Sequence, residues 1–299
     1  MASIQSKVLY TILKTIGIKK MINKMFDSGH FDQNDINFPP QKLYNKLIVE
    51  KSIINERNVF KLSPKIGANN THIIYLHGGA YVCGFSRIHW DFFDLLVQST
   101  HCTLIIPDYP LAPKFTYKDS YKLLDLVYAN LKSKLESKNI ILMGDSSGGG
   151  FALAFAQKLK NDGKPNVNQI ILLSPWLDLT MENKDMENIE VEDPILEISG
   201  LKRAGEAYAG DTLTSNYLLS PIYESIEGLG KISIFIGTKD ILEADTRKFK
   251  KMADEKGHAI NYFVYKDMIH VWMLLNLPES KQAINQISNL VLTNSEIIN

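Results

Sequence analysis

The stretch that decides the fold is IILMGDSSGGGFALAFAQKLK, residues 140–160. Its first four residues are apolar and predict a buried strand, and the residues from 147 onward predict a helix. Between them lies GDSSG, a G-x-S-x-G pattern with Ser146 at its centre. Such a tight turn holds the serine in a strained backbone conformation, and small residues two before and two after it avoid clashes. The stretch therefore predicts a serine held at a tight turn beside a helix N-terminus, where negative charge is favoured. A phosphate-binding loop is the competing interpretation, but no lysine follows the glycines as that loop requires.

A glycine-rich loop is the second signal, since the strand-like run HIIYL is followed by HGGA, residues 77–80. Acyl transfer builds an oxyanion in its transition state, and the N–H groups of a glycine-rich backbone can approach that oxygen closely. We expect Gly78, Gly79 and Ser147 to donate these N–H groups, the last because it follows the serine. His77 precedes the loop, so we expect it to orient the loop rather than to act as a base.

An acid and a base in the chain order Ser…Asp…His complete the pattern. Asp240 follows the apolar run KISIFI, and His270 follows the next strand-like run, INYFVY. The distance between them in the sequence leaves room for one strand–helix unit, and the carboxyl ends of neighbouring parallel strands meet at one crevice. The sequence therefore predicts a triad of Ser146, Asp240 and His270.

Other residues compete for these roles. Asp178, which follows another strand, is an alternative acid, whereas Asp267 is too close to His270 in sequence to brace its ring from the far side. Asp145 flanks the serine, and we expect it to support the site rather than to react. The remaining histidines lie before strands, at strand starts or on helices, where surface or core roles are typical: His30, His72, His89, His101 and His258.

Strand-like and helix-like segments alternate along the chain. Eight runs rich in Val, Ile and Tyr predict strands, at 43–49, 53–62, 72–76, 102–106, 140–143, 169–173, 231–236 and 260–265. Helix-length segments follow the later strands, at 87–99, 117–136, 147–161, 243–257 and 279–292. This alternation predicts an α/β fold with a mostly parallel eight-stranded sheet flanked by helices, in one domain over residues 1–299. The first two runs have no helix between them and predict an antiparallel edge hairpin.

Residues 178–228 interrupt the alternation, because they hold no clear strand and are too long for an ordinary connection. They contain a group of acidic residues between 182 and 193, then a proline and a short helix around 199–208. We interpret this stretch as a helical insertion that covers one end of the sheet.

The N-terminus predicts an amphipathic helix, with apolar residues at helical spacing and lysines on another face: Ile4, Val8, Ile12 and Ile16. Such a helix packs on its own protein or touches a membrane surface. Because lysines gather in residues 7–24 and acids in 182–193, we also expect these two segments to attract each other.

The composition excludes several classes of protein. The 33 basic and 33 acidic side chains cancel, so the chain lacks the positive field of a nucleic-acid-binding protein. Two cysteines, Cys83 and Cys102, are too few for a disulfide framework and show no metal-site spacing, which is typical of reduced thiols in the cytoplasm. The sequence contains no apolar stretch long enough for a membrane span and no signal-peptide pattern at its N-terminus.

These motifs together resemble the hormone-sensitive-lipase-like serine esterases, an α/β-hydrolase family, from about residue 72 to 272. The resemblance rests on HGG, GDSSGG, SPW at 174–176, SP at 220–221, Gly237 with Asp240, and His270. It implies a carboxylesterase that acts on short- to medium-chain acyl esters, without a cofactor or a metal. It also implies a cap formed by about residues 1–42 and 178–228. The expected partner is a small-molecule ester, and the sequence is compatible with a homodimer.

Three positions depart from the family pattern. Ala80 stands where a third glycine is common, and the preceding two glycines are expected to supply the N–H donors. The block YPLAPK, residues 109–114, lacks the arginine and the glutamate of the family, which removes an ion pair near the loop. Val271 follows His270 where glycine is common, and it is expected to narrow the pocket.

Two other functions stay open at this level. An amidase or peptidase would use the same triad, since that triad cleaves both esters and amides. A ligand receptor on an inactive hydrolase scaffold is the other alternative, although such receptors lose the base and His270 is present. Within the esterase hypothesis we expect a preference for short acyl chains, because of the resemblance and the aromatic residues in 80–93 and 208–223.

Overall fold

The computed structural model describes residues 2–28, 38–134 and 139–293, so His30 lies outside the described residues. Eight strands form one sheet in the order β1-β2-β4-β3-β5-β6-β7-β8. The strands are β1 Leu47–Ile54, β2 Arg57–Pro64, β3 Thr71–Leu76, β4 Thr103–Pro107, β5 Asn139–Asp145, β6 Gln169–Leu173, β7 Lys231–Lys239 and β8 Ile260–Ile269. β2 runs antiparallel to β1 and β4, and all the other neighbours are parallel. The predicted mostly parallel eight-stranded sheet is confirmed.

Helices cover both faces of this sheet. They are α1 Ile4–Ile16, α2 Ile18–Ser28, α3 Gln41–Lys46, α4 Arg87–Thr100, α5 Tyr117–Lys134, α6 Ser147–Asn161, α7 Asp185–Glu190, α8 Ile198–Ala209, α9 Glu243–Glu255 and α10 Pro278–Thr293. Successive residues of β5 alternate between two apolar cores: Leu142 packs with α5, α6 and α9, whereas Met143 packs with α4 and α10. A central strand buried on both faces is therefore apolar throughout, as the sequence predicted.

The first two strands form the predicted antiparallel edge hairpin, but they start later than expected. Asn55 and Glu56 both have positive φ, 49° and 62°, at its two-residue turn. The predicted strand at 43–49 is instead the short helix α3 followed by the first residues of β1. Pro40 stands at the N-cap of α3 with a φ of −65°, and the helical turn buries Leu43 completely in the core.

The N-terminal helix α1 forms as predicted, but it packs through a different set of side chains. Leu9, Tyr10 and Leu13 lie against the core formed with α4 and α10. The four apolar residues that recur at helical spacing are exposed: Ile4, Val8, Ile12 and Ile16. Across the described residues, no helix is long and apolar enough to span a bilayer.

The lysine-rich and acidic segments do meet, but mainly through main-chain carbonyls. Lys19 Nζ donates to the carbonyl of Glu190 over 2.7 Å, and Lys14 Nζ donates to the carbonyl of Val191. Within the described ranges, no lysine of residues 7–24 forms an ion pair with an acid of residues 182–193. The contact between these segments is therefore carried by hydrogen bonds rather than by paired side-chain charges.

Candidate active site

Ser146 lies at the sharp turn between β5 and α6, with φ 53° and ψ −123°. Glycine is required at positions 144 and 148, because backbone atoms of other residues lie too close to leave room for a side chain. A Cβ on Gly144 would lie 2.3 Å from the carbonyl oxygen of Gly148, and one on Gly148 would lie 2.0 Å from that of Leu76. The predicted strained turn is therefore present, and it presents Ser146 above the carboxyl edge of the sheet.

The structure brings the three predicted triad residues together. His270 Nε2 lies 2.9 Å from Ser146 Oγ, and His270 Nδ1 lies 2.8 Å from Asp240 Oδ2. Because the carboxylate of Asp240 accepts a hydrogen bond from Nδ1–H, Nε2 is free to accept the hydroxyl proton of Ser146. Asp240 follows β7 and His270 follows β8, so the parallel strands deliver both to one crevice.

The buried imidazole of His270 is stabilised in its charged form by its neighbours. Burial alone would lower the pKa of His270, but the charge of Asp240 and the hydrogen bond to it raise that pKa overall. Asp240 is completely buried, and its other oxygen accepts the N–H of Leu242 over 3.0 Å. This arrangement favours a base that can take up a proton from Ser146 and hold it.

Gly78 departs from its predicted role. Its N–H donates to Asp145 Oδ1 over 2.9 Å, so it is not available to an oxyanion. By contrast, the N–H groups of Gly79 and Ala80 make no hydrogen bond to the other described residues. Ser147 is the first residue of α6, where an N–H has no helical acceptor. The free donors in this part of the chain are thus one residue further along the loop than the sequence suggested.

The loop conformation explains the residues found there. Gly79 has a φ of 124°, and a Cβ on it would lie 2.4 Å from the carbonyl oxygen of Cys83. Ala80 has a φ of 52°, a left-handed conformation that costs an alanine about 1–2 kcal/mol. Ala80, which departs from the family pattern, thus adopts a conformation that glycine would adopt without this cost.

Asp145 supports the loop, as expected, through partners that the sequence did not reveal. Its Oδ1 also accepts the hydroxyl of Tyr75 over 2.8 Å, and its Oδ2 lies 3.3 Å from His89 Nε2. His89 Nδ1 accepts the N–H of Ser86, so Nε2 carries the proton toward Asp145. Burial by itself would raise the pKa of Asp145, but His89, Tyr75 and the N–H of Gly78 lower it overall.

His77 orients the loop and is unsuited to be a base, as predicted. Its Nδ1 lies 2.7 Å from the carbonyl oxygen of Gly78, and its ring stacks on Tyr109 with centroids 4.3 Å apart. Burial lowers the pKa of His77 to about 3, so the ring is neutral. Nearby, Arg57 of β2 donates to the carbonyl of Asp108 over 2.9 Å and to that of Tyr109 over 3.4 Å, where the block that lacks the family's arginine begins.

The rival residues lie elsewhere in hydrogen-bond networks. Asp178 accepts from the hydroxyls of Thr180 and Tyr223, over 2.7 Å in each case. The N–H of Asp267 donates to Thr238 Oγ1 over 2.8 Å at the end of β8. His101 is an exposed C-cap of α4, and His72 is part of β3. His270 is therefore the histidine that the structure places at Ser146.

A cavity of about 200 Å³ opens at Ser146 and His270. Its walls are mostly apolar and include residues from α2, the insertion and the loop after β8: Ile22, Met25, Phe26, Leu196, Leu201 and Val271. Val271 lines the cavity, which is where its side chain was expected to lie. Over residues 2–28, 38–134 and 139–293, no group of three or more His, Cys, Asp or Glu side chains is arranged to hold a metal ion.

Comparison with known proteins agrees with this geometry. A family described as the alpha/beta hydrolase fold matches residues 73–274. The chain belongs to this family. It is 30% identical to an esterase of Acinetobacter venetianus over 229 residues, which are 75% of this chain and 76% of that protein. It is 27% identical to an acetyl-hydrolase of Streptomyces hygroscopicus, over 71% of this chain and 72% of that one.

Solved structures give the same result for this α/β hydrolase. A Staphylococcus aureus protein assigned as an esterase superposes with a TM-score of 0.83 at 28% identity, over 90% of this chain and 92% of that chain. A structure of an esterase from the bacterial hormone-sensitive lipase family superposes with a TM-score of 0.83, over 98% of this chain and 99% of that chain. The two sequences are 24% identical, so this similarity shows the fold alone. The predicted α/β-hydrolase family is confirmed, and the curated relatives confirm the prediction of a carboxylic ester hydrolase.

Proposed function

We propose that this α/β hydrolase is a serine carboxylesterase that cleaves short- to medium-chain acyl esters with Ser146, His270 and Asp240. The observation that carries the proposal is the hydrogen-bonded chain from Ser146 Oγ through His270 to Asp240, with distances of 2.9 and 2.8 Å. Ser146 and His270, the first two members of this hydrogen-bonded series, line the apolar cavity. A serine, a base and an orienting acid in this arrangement are the elements of covalent acyl transfer.

In the proposed first step, Ser146 Oγ attacks the ester carbonyl while His270 Nε2 takes the hydroxyl proton. Asp240 holds the imidazole in the correct tautomer and stabilises the imidazolium that forms. The tetrahedral intermediate then collapses, its bond to the alcohol oxygen breaks, and His270 gives the proton to the leaving alcohol. In the second step, water attacks the acyl-serine, His270 takes a proton from that water, and the carboxylic acid leaves as Ser146 regains its hydrogen.

The oxyanion donors in this proposal are the N–H groups of Gly79, Ala80 and Ser147. The supporting evidence is that the Gly79 and Ala80 N–H groups have no partner among the described residues, whereas that of Gly78 binds Asp145. Ser147 contributes both its N–H and the positive end of α6. Donors that are fixed before the reaction stabilise the developing charge without reorganisation.

The preference for small acyl groups is supported by the size of the cavity. A volume of about 200 Å³ lies below the range of about 300–1,000 Å³ that is typical of ligand pockets. Its apolar walls suit a neutral acyl chain, and the zero net charge fits a substrate that needs no electrostatic steering. The Streptomyces hygroscopicus relative is described as an acetyl-hydrolase, which agrees with a small acyl group.

The cap in this proposal comprises about residues 1–42 and 178–228. Its two parts are joined where α2 crosses α8. Arg203 Nη2 donates to Asn23 Oδ1 over 2.7 Å and pairs with Asp27 at the same distance. A Cβ on Gly200 would lie 2.7 Å from the ring of Phe26, so the glycine permits this close crossing. The cytoplasmic location and the homodimer stay predictions.

The decisive experiment combines turnover with labelling of the serine. The wild-type protein should hydrolyse p-nitrophenyl acetate and react with one equivalent of an organophosphate at Ser146, because labelling requires an activated serine. Ser146→Ala should lose both, with kcat lower by a factor on the order of 10⁶. Full turnover by Ser146→Ala would contradict the proposal. A labelled protein that prefers an amide to the matched ester would point to the amidase alternative, and an unlabelled one to a receptor.

A further inference from the structure

One acidic residue of the insertion differs from its neighbours, because it is buried. Asp193 lies between α7 and α8 and is only 1% exposed, although Glu182, Asp185 and Glu187 in the same segment are exposed. Among the described residues, no lysine or arginine forms an ion pair with its carboxylate. A buried carboxylate is costly unless its oxygens accept good hydrogen bonds, so the location of its partners is informative.

Both oxygens of Asp193 accept main-chain N–H groups, and they do so from two distant segments. Oδ1 accepts from Ile195 over 2.8 Å and from Leu196 over 2.9 Å, in the insertion itself. Oδ2 accepts from Ile241 over 2.9 Å, in the loop that follows β7. The carboxylate thus joins the insertion to the residue directly after Asp240.

These contacts reach both the loop that carries the proposed triad acid and the wall of the cavity at Ser146. In the loop after β7, the N–H of Ile241 binds Asp193, while the N–H of Leu242 binds Asp240 itself. In the insertion, Leu196 lines the cavity at Ser146. One buried group therefore holds the loop of the triad acid and a wall of the substrate cavity in a fixed relation.

We propose that Asp193 is a positioning residue for the acid of the triad, supplied by the insertion rather than by the sheet. The inference rests on the proposed function of Ser146, His270 and Asp240. When Asp193 is ionised and bound to Ile241, it keeps Asp240 aimed at His270 Nδ1. A displacement of about 1 Å in such a group costs up to about 100-fold in rate.

The charge of Asp193 affects the pKa of His270, whereas a group with only a structural role would leave that pKa unchanged. Burial and the charge of Asp240 raise the pKa of Asp193 to about 6, although its three N–H partners lower it. The negative charge of Asp193 also contributes to the raised pKa of His270. Loss of that charge should therefore lower the pKa of His270, so that the base stays neutral and active at lower pH.

Other charged groups surround Asp193 and must be counted in any pH profile. They come from α1 and α2, from the insertion, from the last residue of β7 and from the loops after β7 and β8: Tyr10, Lys14, Lys19, Lys20, Glu190, Glu192, Glu197, Lys239, Asp240 and His270. A matched control must leave this set intact. Glu187→Gln does so, because it removes the same charge from an exposed position of α7.

The test compares kcat and KM for p-nitrophenyl acetate between pH 5 and 9 in the wild type, Asp193→Asn and Glu187→Gln. Asp193→Asn should lower kcat by about 10- to 100-fold with a smaller change in KM, and it should move the acid limb of kcat/KM to lower pH. Glu187→Gln should change neither. An Asp193→Asn variant with wild-type kcat and an unmoved acid limb would overturn the proposal.

Hydrogen exchange at the amide of Ile241 gives a readout that is independent of turnover. We expect slow exchange in the wild type and in Glu187→Gln, and faster exchange in Asp193→Asn. If the wild type fails to cleave esters while this pattern holds, the proposed function fails and the contact stands. If Asp193→Asn does not fold, Asp193→Ser tests the same point, because its shorter side chain can accept from Ile195 but does not reach Ile241. If neither folds, fast exchange of Ile241 in the wild type would overturn the proposal, and slow exchange would support it.

Discussion

The N–H of Gly78 donates a hydrogen bond to the buried carboxylate of Asp145 over 2.9 Å. The same carboxylate accepts the hydroxyl of Tyr75, and it belongs to the residue directly before Ser146. A Cβ on Gly78 would lie 2.3 Å from Asp145 Oδ2, so only glycine permits this approach. This hydrogen bond joins the glycine-rich loop to the turn at Ser146, whereas the N–H groups of Gly79 and Ala80 have no partner among the described residues.

We predict that Asp145→Ala slows the reaction by loosening this loop. It should lower kcat by about 10²-fold, at the lower end of the cost of losing one oxyanion donor. Three buried donors, on Gly78, Tyr75 and His89, would also lose their acceptor, at about 1–3 kcal/mol each, so thermal unfolding should occur at a lower temperature. Steady-state kinetics on p-nitrophenyl acetate and calorimetry measure the two effects.

The control for this variant is Tyr75→Phe, which removes the other donor to the same oxygen without touching the loop. It should cost about 1 kcal/mol of stability and leave kcat within a few-fold of the wild type. Equal losses of kcat in the two variants would show that the carboxylate acts on general stability rather than on the loop.

The second prediction concerns the length of the acyl chain. Phe26 of α2 lines the cavity and lies against Gly200 of α8, so its ring limits the space beyond Ser146. Phe26→Ala should raise kcat/KM for p-nitrophenyl hexanoate relative to the acetate by about 10-fold or more, since each accommodated methylene contributes on that scale. A series of esters from acetate to palmitate measures the change.

Met21→Ala is the matched control, because Met21 lies on the same helix but its side chain is 60% exposed. It should keep the wild-type profile, with its maximum at a short chain. A wild-type maximum at long-chain esters, or the same shift in both variants, would argue against the cavity as the determinant of chain length.

The third prediction is a pH-dependent gain in stability from Asp245→Asn. Burial raises the pKa of Asp245 to about 7, and the nearby charge of Asp178 adds to this shift. The unfolded chain titrates near 3.9, so the folded state keeps a proton that the unfolded state releases between about pH 4 and 7. The wild type therefore loses stability as pH rises through this window.

Asparagine carries no charge and keeps an oxygen for the amide of Asn183, which now donates to Asp245 over 2.9 Å. Asp245→Asn should be more stable than the wild type at pH 8, by an amount on the order of 3 kcal/mol, and nearly equal to it at pH 4. Chemical denaturation at both pH values checks this. Asp254→Asn, an exposed change on the same helix α9, should show no such trend, and a similar trend there would refute the assignment to Asp245.

Most of the fold, and the three positions that we propose as the triad, could be predicted from the sequence for a local reason. Period-2 and apolar runs mark strands, and G-x-S-x-G imposes its own backbone geometry at Ser146. The order and spacing of Asp240 and His270 follow from the way parallel strands end at one edge. The strand start at 43–49 was wrong because Leu43 is buried by a helical turn, and local composition does not report which core a side chain joins.

The sequence by itself determined which side chains we propose to carry the chemistry, because a tight turn, a glycine-rich loop and strand ends are set by neighbours along the chain. The tertiary structure alone decided which N–H groups have no partner among the described residues and which carboxylate binds the loop after Asp240. Gly78 and Gly79 are alike in sequence, yet only Gly78 meets Asp145. Asp193 resembles the exposed acids around it, yet it binds Ile241 across 48 residues. A buried polar group bonds to whichever partner the fold packs against it, and in both cases that partner lies far away in the sequence.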